Sequence, residues 1–187
     1  MSFQSRVENL TTNSGASGDY LRNNGVGSLV SWETAPSNQC AFSAYLTAVA
    51  NNVTGAGTQY FLSSMTEEFD VGSDFNPTTG QFTVPTTGRY FLAAGVSVLN
   101  LTAAMTTVDA RIFTTLGATV LFINIGNPFA RQGALSNQDF ACSSVITQLT
   151  AGTILRVGIT VFGGAGDTAE VNGGLGLSYF CGYFLGA

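Results

Sequence analysis

The segment GRYFLAAGVSVL, residues 88–99, is apolar on both of the faces that a β-strand would present. Successive side chains of a strand point to opposite sides, so Tyr90 and Leu92 fall on one face and Phe91 and Leu99 on the other. A strand in an ordinary half-exposed sheet would instead alternate apolar and polar residues. The segment therefore predicts a strand that is covered on both sides.

The composition agrees with extensive covering of the surface. Hydrophobic residues make up 45% of the 187 residues and charged residues only 9%, whereas an ordinary globular domain carries about 25% charged residues. Every apolar run is much shorter than the roughly 20 residues that span a bilayer. The hydropathy therefore predicts buried interfaces and no membrane span.

The basic residues exclude several functions. All six are arginines, they are scattered along the chain, and the net charge is -5. This distribution lacks the basic stripe that phosphate binding needs, so we predict no nucleic-acid partner. The chain has no histidine and no lysine, which removes Ser-His-Asp and Cys-His catalysis, histidine metal sites and Schiff bases. We therefore predict no catalytic residues.

One acidic group leaves an enzymatic alternative open. Glu67, Glu68, Asp70 and Asp74 are close in sequence and could form a paired-carboxylate site or a Ca²⁺ site. Strand alternation sends Glu67 and Glu68 to opposite faces, which favours a solvated edge. A carbohydrate-active enzyme is the weakest of the alternatives considered below.

The three cysteines do not form a disulfide framework, because their number is odd and small. We expect free, buried thiols. A bridge between Cys40 and Cys181 stays open if the first and last strands pair.

The chain divides by composition into residues 1–38 and residues 39–187. The first part is rich in Gly, Asn, Ser and Thr without a sustained period, and we expect an extended anchoring arm that packs on a neighbour. The alternative is a linker wrapped on its own domain. Its candidate anchors are the apolar residues spaced through it: Phe3, Val7, Leu10, Tyr20, Leu21 and Trp32.

From Ala41 onward the pattern is one of roughly nine or ten short strands separated by turns. Residues that could cap a helix are plentiful, but no amphipathic stretch with a helical period follows them. Closely spaced strands of this kind predict a sandwich or a jelly roll. The glycine-rich stretch GGAGDTAEVNGGLG is expected to be a loop, since it matches no phosphate loop and opens no helix.

Four pieces of the sequence, in order over residues 41–187, resemble the globular heads of complement C1q. AFSAYL is similar to the opening strand of that family, and FCGYFL is similar to its closing strand. Leu149 and Gly152, together with the ILRV that follows them, resemble its late hairpin. The residues that resemble its central signature are Phe75, Asn76, Gly80, Phe82, Pro85, Gly88, Tyr90 and Phe91. We expect a positive φ at Gly80 or Gly88, each of which follows a Thr-Thr pair.

The resemblance implies a ten-stranded antiparallel jelly roll, shared with tumour necrosis factor, that forms tight homotrimers. In such trimers one side of a sheet packs toward the threefold axis, which would cover the second side of the strand at 88–99. It also leaves open a Ca²⁺ site, for which Asp70 and Asp74 are the candidates. The implied trimer contacts are Tyr90, Leu92, Tyr179, Tyr183 and Leu185.

These observations lead to three functional hypotheses. The first is a non-enzymatic homotrimeric head on a virion surface, held by its arm to capsid or tail proteins as a decoration, spike or fibre head, and binding a host-surface glycan or protein. The absence of a secretory signal and of a collagen stalk favours it. The second is an extracellular C1q-like ligand-binding module, and the third is the carbohydrate-active enzyme.

Overall fold

The computed structural model describes residues 40–128 and 138–187 in full, together with the backbone of Asp19–Arg22 and Ser31–Thr34. The chain separates into two compact units, Met1–Asn38 and Gln39–Ala187. Each unit is described by itself below.

The N-terminal unit contains a two-stranded antiparallel ribbon. Strand β1 (Asp19–Arg22) pairs with β2 (Ser31–Thr34), and Leu21 stands opposite Trp32. An extended arm is expected from the sequence, and these eight residues are extended strands that pair with each other. Backbone pairing can form in a polar segment that shows no apolar alternation. Tyr20, Leu21 and Trp32 lie in the ribbon, whose backbone alone is described. Phe3, Val7 and Leu10 lie outside the described residues, and the anchoring role of all six stays a prediction.

The second unit is built on a seven-stranded antiparallel sheet. Along it the strands run β4, β14, β9, β15, β3 and β6, and β12 also pairs with β9. The opening segment of the sequence analysis is β9, which is central and pairs with β12, β14 and β15. The strands are β3 (Ala41–Leu46), β4 (Ala50–Thr54), β6 (Met65–Val71), β9 (Gly88–Leu99), β12 (Asp139–Leu149), β14 (Ala169–Val171) and β15 (Tyr179–Gly186).

A six-stranded antiparallel sheet packs against the first one. Its order is β11, β10, β13, β8 and β7, and β5 also pairs with β13. Its strands are β5 (Gln59–Phe61), β7 (Phe75–Asn76), β8 (Gln81–Thr83), β10 (Thr107–Thr114), β11 (Thr119–Gly126) and β13 (Ile154–Phe162). The predicted strand positions are confirmed. The thirteen described strands of the two sheets outnumber the nine or ten predicted, because β4, β7 and β14 are short pieces without a strong β pattern.

The core between the sheets is centred on stacked phenylalanines. Phe42 of β3 lies 5.0 Å from Phe75, 4.5 Å from Phe82 and 4.9 Å from Phe180, measured between ring centroids. Every second residue of β3 is buried, as expected for a strand with one side on a core. Aromatic side chains bury the largest areas, so this cluster supplies much of the apolar burial that joins the two sheets.

The turn before β8 confirms the expected glycine conformation. Gly80 has φ of +66°, whereas Gly88 has an ordinary φ. Asn76 holds the turn, because its side-chain oxygen accepts hydrogen bonds from the backbone N–H groups of Thr78 and Thr79 at 3.0 and 3.2 Å. A Cβ on Gly80 would also clash with the carbonyl of Leu62, so glycine is required here for two reasons.

The glycine-rich stretch at 163–176 is a loop only in part. Ala169–Val171 form β14, which joins β4 to β9. Ala169 and Val171 are fully buried, and this burial outweighs the loop preference of the surrounding glycines.

Candidate functional site

The side of the seven-stranded sheet that points away from the core forms one continuous apolar face. Strand register places its side chains in rows that cross β12, β9, β15, β3 and β6. One row contains Ile146, Phe91, Tyr183, Ala41 and Val71. The next row contains Ser144, Ala93, Cys181, Ser43 and Phe69. Phe140, Cys142, Gly95, Tyr179 and Tyr45 extend this outer apolar face at one end.

Large apolar side chains on this face remain exposed in the single chain. Of the eleven exposed large hydrophobic residues in the described part of the chain, six lie on the outer apolar face. They are Phe69, Val71, Phe140, Ile146, Tyr183 and Leu185. Scattered exposed apolar residues are normal on a protein surface, but a contiguous group marks an interaction surface.

The rings on this face are packed into fixed positions by the backbone beneath them. Phe91 and Tyr183 stack with their centroids 5.1 Å apart. The rings of Tyr179 and Phe140 both lie over Gly95, where the position that a Cβ would take is 2.9 Å from Phe140 and still nearer to Tyr179. The missing side chain at Gly95 therefore lets two rings cover the centre of the sheet. A preordered aromatic surface loses little side-chain entropy when a partner binds.

Two of the five implied trimer contacts are wrong. Tyr90 and Leu92 are both fully buried within the protomer, and the Tyr90 hydroxyl donates a 2.7 Å hydrogen bond to the carbonyl oxygen of Thr86. A side chain with no exposed surface cannot contact a second chain. The two apolar faces of β9 had been assigned in the wrong sense, since the sequence alone does not say which one meets the core.

The other three implied contacts lie on the outer apolar face. Tyr183 is 46% exposed and Leu185 44% exposed, while Tyr179 is half-buried by its neighbours. Sequence reasoning missed the contribution of β12 and β6 to this face. The signal was present in β12, where Phe140 and Ile146 share one side with cysteine and serine between them.

The cysteines are free, and a bridge between Cys40 and Cys181 is excluded by the sheet itself. Strands β3 and β15 pair as the sequence allowed, but Cys40, the residue before β3, is buried on the core side and Cys181 points outward beside Ala93. Burial and the nearby Asp74 carboxylate raise the pKa of the Cys40 thiol to about 12. Burial, and secondarily Glu68, also raises the pKa of Cys181. Both thiols are therefore held in the protonated, unreactive form.

Cys142 is exposed, so the expectation of buried thiols is wrong for it. It lies on the outer apolar face opposite Gly95. Burial raises the pKa of Tyr179, and the two outward cysteines, Cys142 and Cys181, add to that effect. Tyr179, Cys142 and Cys181 thus lie close together on this face.

The acidic group does not converge on one point. Asp70 accepts backbone hydrogen bonds from Asp74 at 3.3 Å and from Phe75 at 3.0 Å, so it caps the turn before β7. The Cys40 thiol donates to Asp74. Among the described residues no group of three or more His, Cys, Asp or Glu side chains could hold a metal ion. The Ca²⁺ site at Asp70 and Asp74 stays a prediction.

The two glutamates of the enzymatic alternative are used differently. Glu68 accepts a 2.6 Å hydrogen bond from the hydroxyl of Ser43 at the edge of the outer apolar face. Glu67 stands opposite Ala44, whose side chain points into the core. The pair is therefore arranged as two separate edge carboxylates.

Comparison with known proteins establishes the fold. No family model matches the sequence, and no curated protein matches it. Among solved structures, an Eiger TNF from S. frugiperda is similar at a TM-score of 0.57 and 16% identity, over 79% of this chain and 93% of that one. Murine APRIL at pH 8.0 is similar at a TM-score of 0.55 and 13% identity, over 79% and 99% of the two chains. The second unit thus has the C1q/TNF-like jelly-roll fold, as the sequence predicted.

Within residues 40–128, 138–187 and the two short N-terminal strands, no helix has the length and hydropathy to cross a bilayer.

Proposed function

We propose that this protein is a non-enzymatic homotrimeric interaction module in which the outer apolar faces of three chains pack together around a threefold axis. The observation that carries the proposal is that, of the eleven exposed large hydrophobic residues among those described, six lie on that one face. Covering such a face removes apolar area from water, which is the main favourable term in protein association.

A trimer would account for the two-sided apolar pattern of β9. Tyr90 and Leu92 are covered by the core of their own chain. Phe91 and Ala93 point to the outer apolar face, where only neighbouring side chains partly cover them. A second chain packed against the outer apolar face would bury the outward side chains of β9, so that both apolar faces of the strand would be covered. Closed symmetry is the usual solution for such self-association, because it leaves no apolar surface exposed.

The finer part of the proposal is attachment to a virus or phage particle. Residues 1–38 form a unit separate from the jelly roll and carry apolar residues spaced through a polar sequence. Such a unit could hold the head to capsid or tail proteins while the jelly roll stays accessible for a host-surface ligand. The scarcity of charged residues supports a chain that is covered by partners over much of its surface.

Electron microscopy with a gold-labelled antibody against the jelly roll tests the attachment. In material from the native source, the label should decorate symmetric particles in groups of three. Deletion of residues 1–38 should leave trimers in solution and remove them from the particles. A label found only on free trimers would support the extracellular binding module instead, and normal incorporation of the truncated chain would show that residues 1–38 are not the anchor.

A further inference from the structure

The outward side of the six-stranded sheet carries Arg156, whose Nε has no hydrogen-bond acceptor among the described residues. Arg156 of β13 lies with its guanidinium carbon 3.5 Å from the ring centroid of Phe61. Its Nε atom is buried and has no hydrogen-bond partner among the described residues. A planar cation held flat on an aromatic ring has already lost most of its side-chain freedom, so it is prepared to bind a planar anion.

The charges on this sheet do not balance. Its six strands contain two arginines, Arg111 and Arg156, and one carboxylate, Asp109. Asp109 is already engaged, because it accepts a 2.8 Å hydrogen bond from Arg111 and a 2.5 Å hydrogen bond from Asn124. Among the described strands of this sheet, Arg156 therefore has no carboxylate left to balance its charge, on a protein whose net charge is -5.

Aromatic rings surround this charge. The rings of Phe61 and Phe113 meet edge to face at 5.8 Å over Gly158. Phe122 is 49% exposed beneath Arg111. Phe113 is only 8% exposed and packs against Phe61. The accessible apolar floor is therefore made by the parts of Phe61 and Phe122 that the guanidinium groups of Arg156 and Arg111 do not cover.

Polar groups complete the rim. Gln81 of β8 pairs directly with Arg156 in the strand register, and the exposed Thr83 follows it on the same side. An amide and a hydroxyl next to a guanidinium offer hydrogen bonds to hydroxyl groups as well as to a carboxylate.

We propose that this surface, made of Arg156, Gln81, Phe61 and Phe122, binds a carboxylated sugar, either a sialic acid or a uronic acid. A single unpaired guanidinium matches a single carboxylate in bidentate geometry, whereas a nucleic acid or a sulfated polymer needs several unpaired cations. The pyranose ring presents an apolar C–H face to the aromatic floor and hydroxyls to the rim. The proposal names the ligand class for the binding role proposed above, and it does not depend on the trimer, because the surface lies on the opposite sheet.

The test is a titration of the full-length protein by NMR or calorimetry with 3′-sialyllactose, with a glucuronate-containing disaccharide, and with neutral lactose. We expect one or both acidic probes to bind and lactose to bind at least tenfold more weakly. Arg156→Gln should weaken binding of the acidic probe by roughly 10- to 100-fold, since a hydrogen bond to a charged group contributes about 1.5–3 kcal/mol. Arg156→Lys should recover only part of that loss. Arg89→Gln, which removes an exposed arginine of β9, is the matched control and should bind as the parent does.

Three results would overturn the proposal: no binding of either acidic probe, unchanged binding by Arg156→Gln, or equal binding of lactose. Tighter binding of a blocked Glu-Glu dipeptide than of both sugars would also overturn it, in favour of an acidic protein ligand. Thermal unfolding of each variant shows whether the fold is intact, and Phe61→Leu, which removes the ring under the guanidinium, provides a second variant for which weaker binding is expected. Light scattering on the same samples reports the oligomeric state, so a failure of this proposal is separate from a failure of the trimer.

Discussion

The rings of Phe91 and Tyr183 stack across β9 and β15, with their centroids 5.1 Å apart and their planes inclined by 29°. Tyr183 remains 46% exposed after making this contact. The pair lies in the row that runs from Ile146 to Val71 and so occupies a central strand pair of the outer apolar face. Preordered aromatic side chains near the centre of an interface usually carry a large part of the binding free energy.

Replacing Tyr183 by Asp should therefore dissociate the trimer. The change would place an unpaired carboxylate in a dry interface, at a cost of several kcal/mol. The single chain should stay folded, because the tyrosine lies on its surface. Sedimentation velocity at micromolar concentration should show a shift to monomer.

Leu116→Asp is the control for that experiment. Leu116 is 97% exposed in the turn before β11, and its replacement should leave the oligomeric state and the melting temperature unchanged. A Tyr183→Asp protein that sediments as the parent does would remove Tyr183 from the interface.

Gly95→Ala should displace aromatic rings on the outer apolar face, because the added Cβ would lie under them. Its Cβ would approach Phe140 to 2.9 Å and Tyr179 more closely, so at least one ring must move. Overpacking of this kind costs about 1–3 kcal/mol, and we expect both a lower free energy of unfolding and weaker association. Gly126→Ala in β11, where nothing lies within 4 Å of the added atom, should change neither quantity. Equal behaviour of the two variants in urea unfolding and light scattering would mean that the rings do not depend on Gly95.

Comparing Gly80→Ala with Gly152→Ala should separate the free-energy cost of backbone strain from that of steric overpacking. Both glycines have positive φ, +66° and +83°, but only the Cβ of Gly80 would meet the Leu62 carbonyl, while that of Gly152 meets nothing within 4 Å. We expect Gly152→Ala to cost about 1–2 kcal/mol from backbone strain alone. Gly80→Ala should cost more by about 1–3 kcal/mol, because it also overpacks the turn. Urea unfolding of both variants measures the difference, and a smaller loss at Gly80 would contradict the turn geometry.

Cys40 should make the fold sensitive to alkaline pH. Its pKa is raised from 9.0 to about 12 in the folded chain, so the thiol contributes stability that is fully present below pH 9. As the pH rises from 9 toward 12, the unfolded chain loses this proton first and the free energy of unfolding falls. Cys40→Ser cannot titrate in this range, and its unfolding free energy should fall less steeply over the same interval. Parallel pH profiles for the two proteins would show that Cys40 is not the group responsible.

The strands were largely predictable from sequence because their patterns are local. AFSAYL, GRYFLAAGVSVL and TVLFINIG coincide with β3, β9 and β11, and each is rich in the aromatic and β-branched residues that fit a pleated surface. Strands such as β14 lie within glycine-rich sequence and form because of their neighbours. The local sequence pattern contains no signal for pairing with neighbouring strands, so β14 could not be predicted from it.

The sequence indicated that β9 has two apolar faces, but it did not show which residues form the outer one. The two-sided apolar character of β9 predicts that its second face is covered, and this stays a prediction. Tyr90 and Leu92, which the resemblance implies as contacts on that face, lie on the core side of the sheet. Which side meets the core depends on where β10, β13 and β8 pack, and that is a tertiary choice. The Arg156 Nε, which has no acceptor among the described residues, was equally invisible in sequence, since its isolation depends on the side chains of three neighbouring strands.

The molar mass of the purified full-length protein in solution tests the central claim most directly. Multi-angle light scattering at micromolar concentration should give three times 19.4 kDa, with the outer apolar faces buried between chains. A mass of 19.4 kDa under the same conditions would mean that the exposed side chains of Tyr183, Ile146 and Phe69 face water, and that the protein is not a trimer.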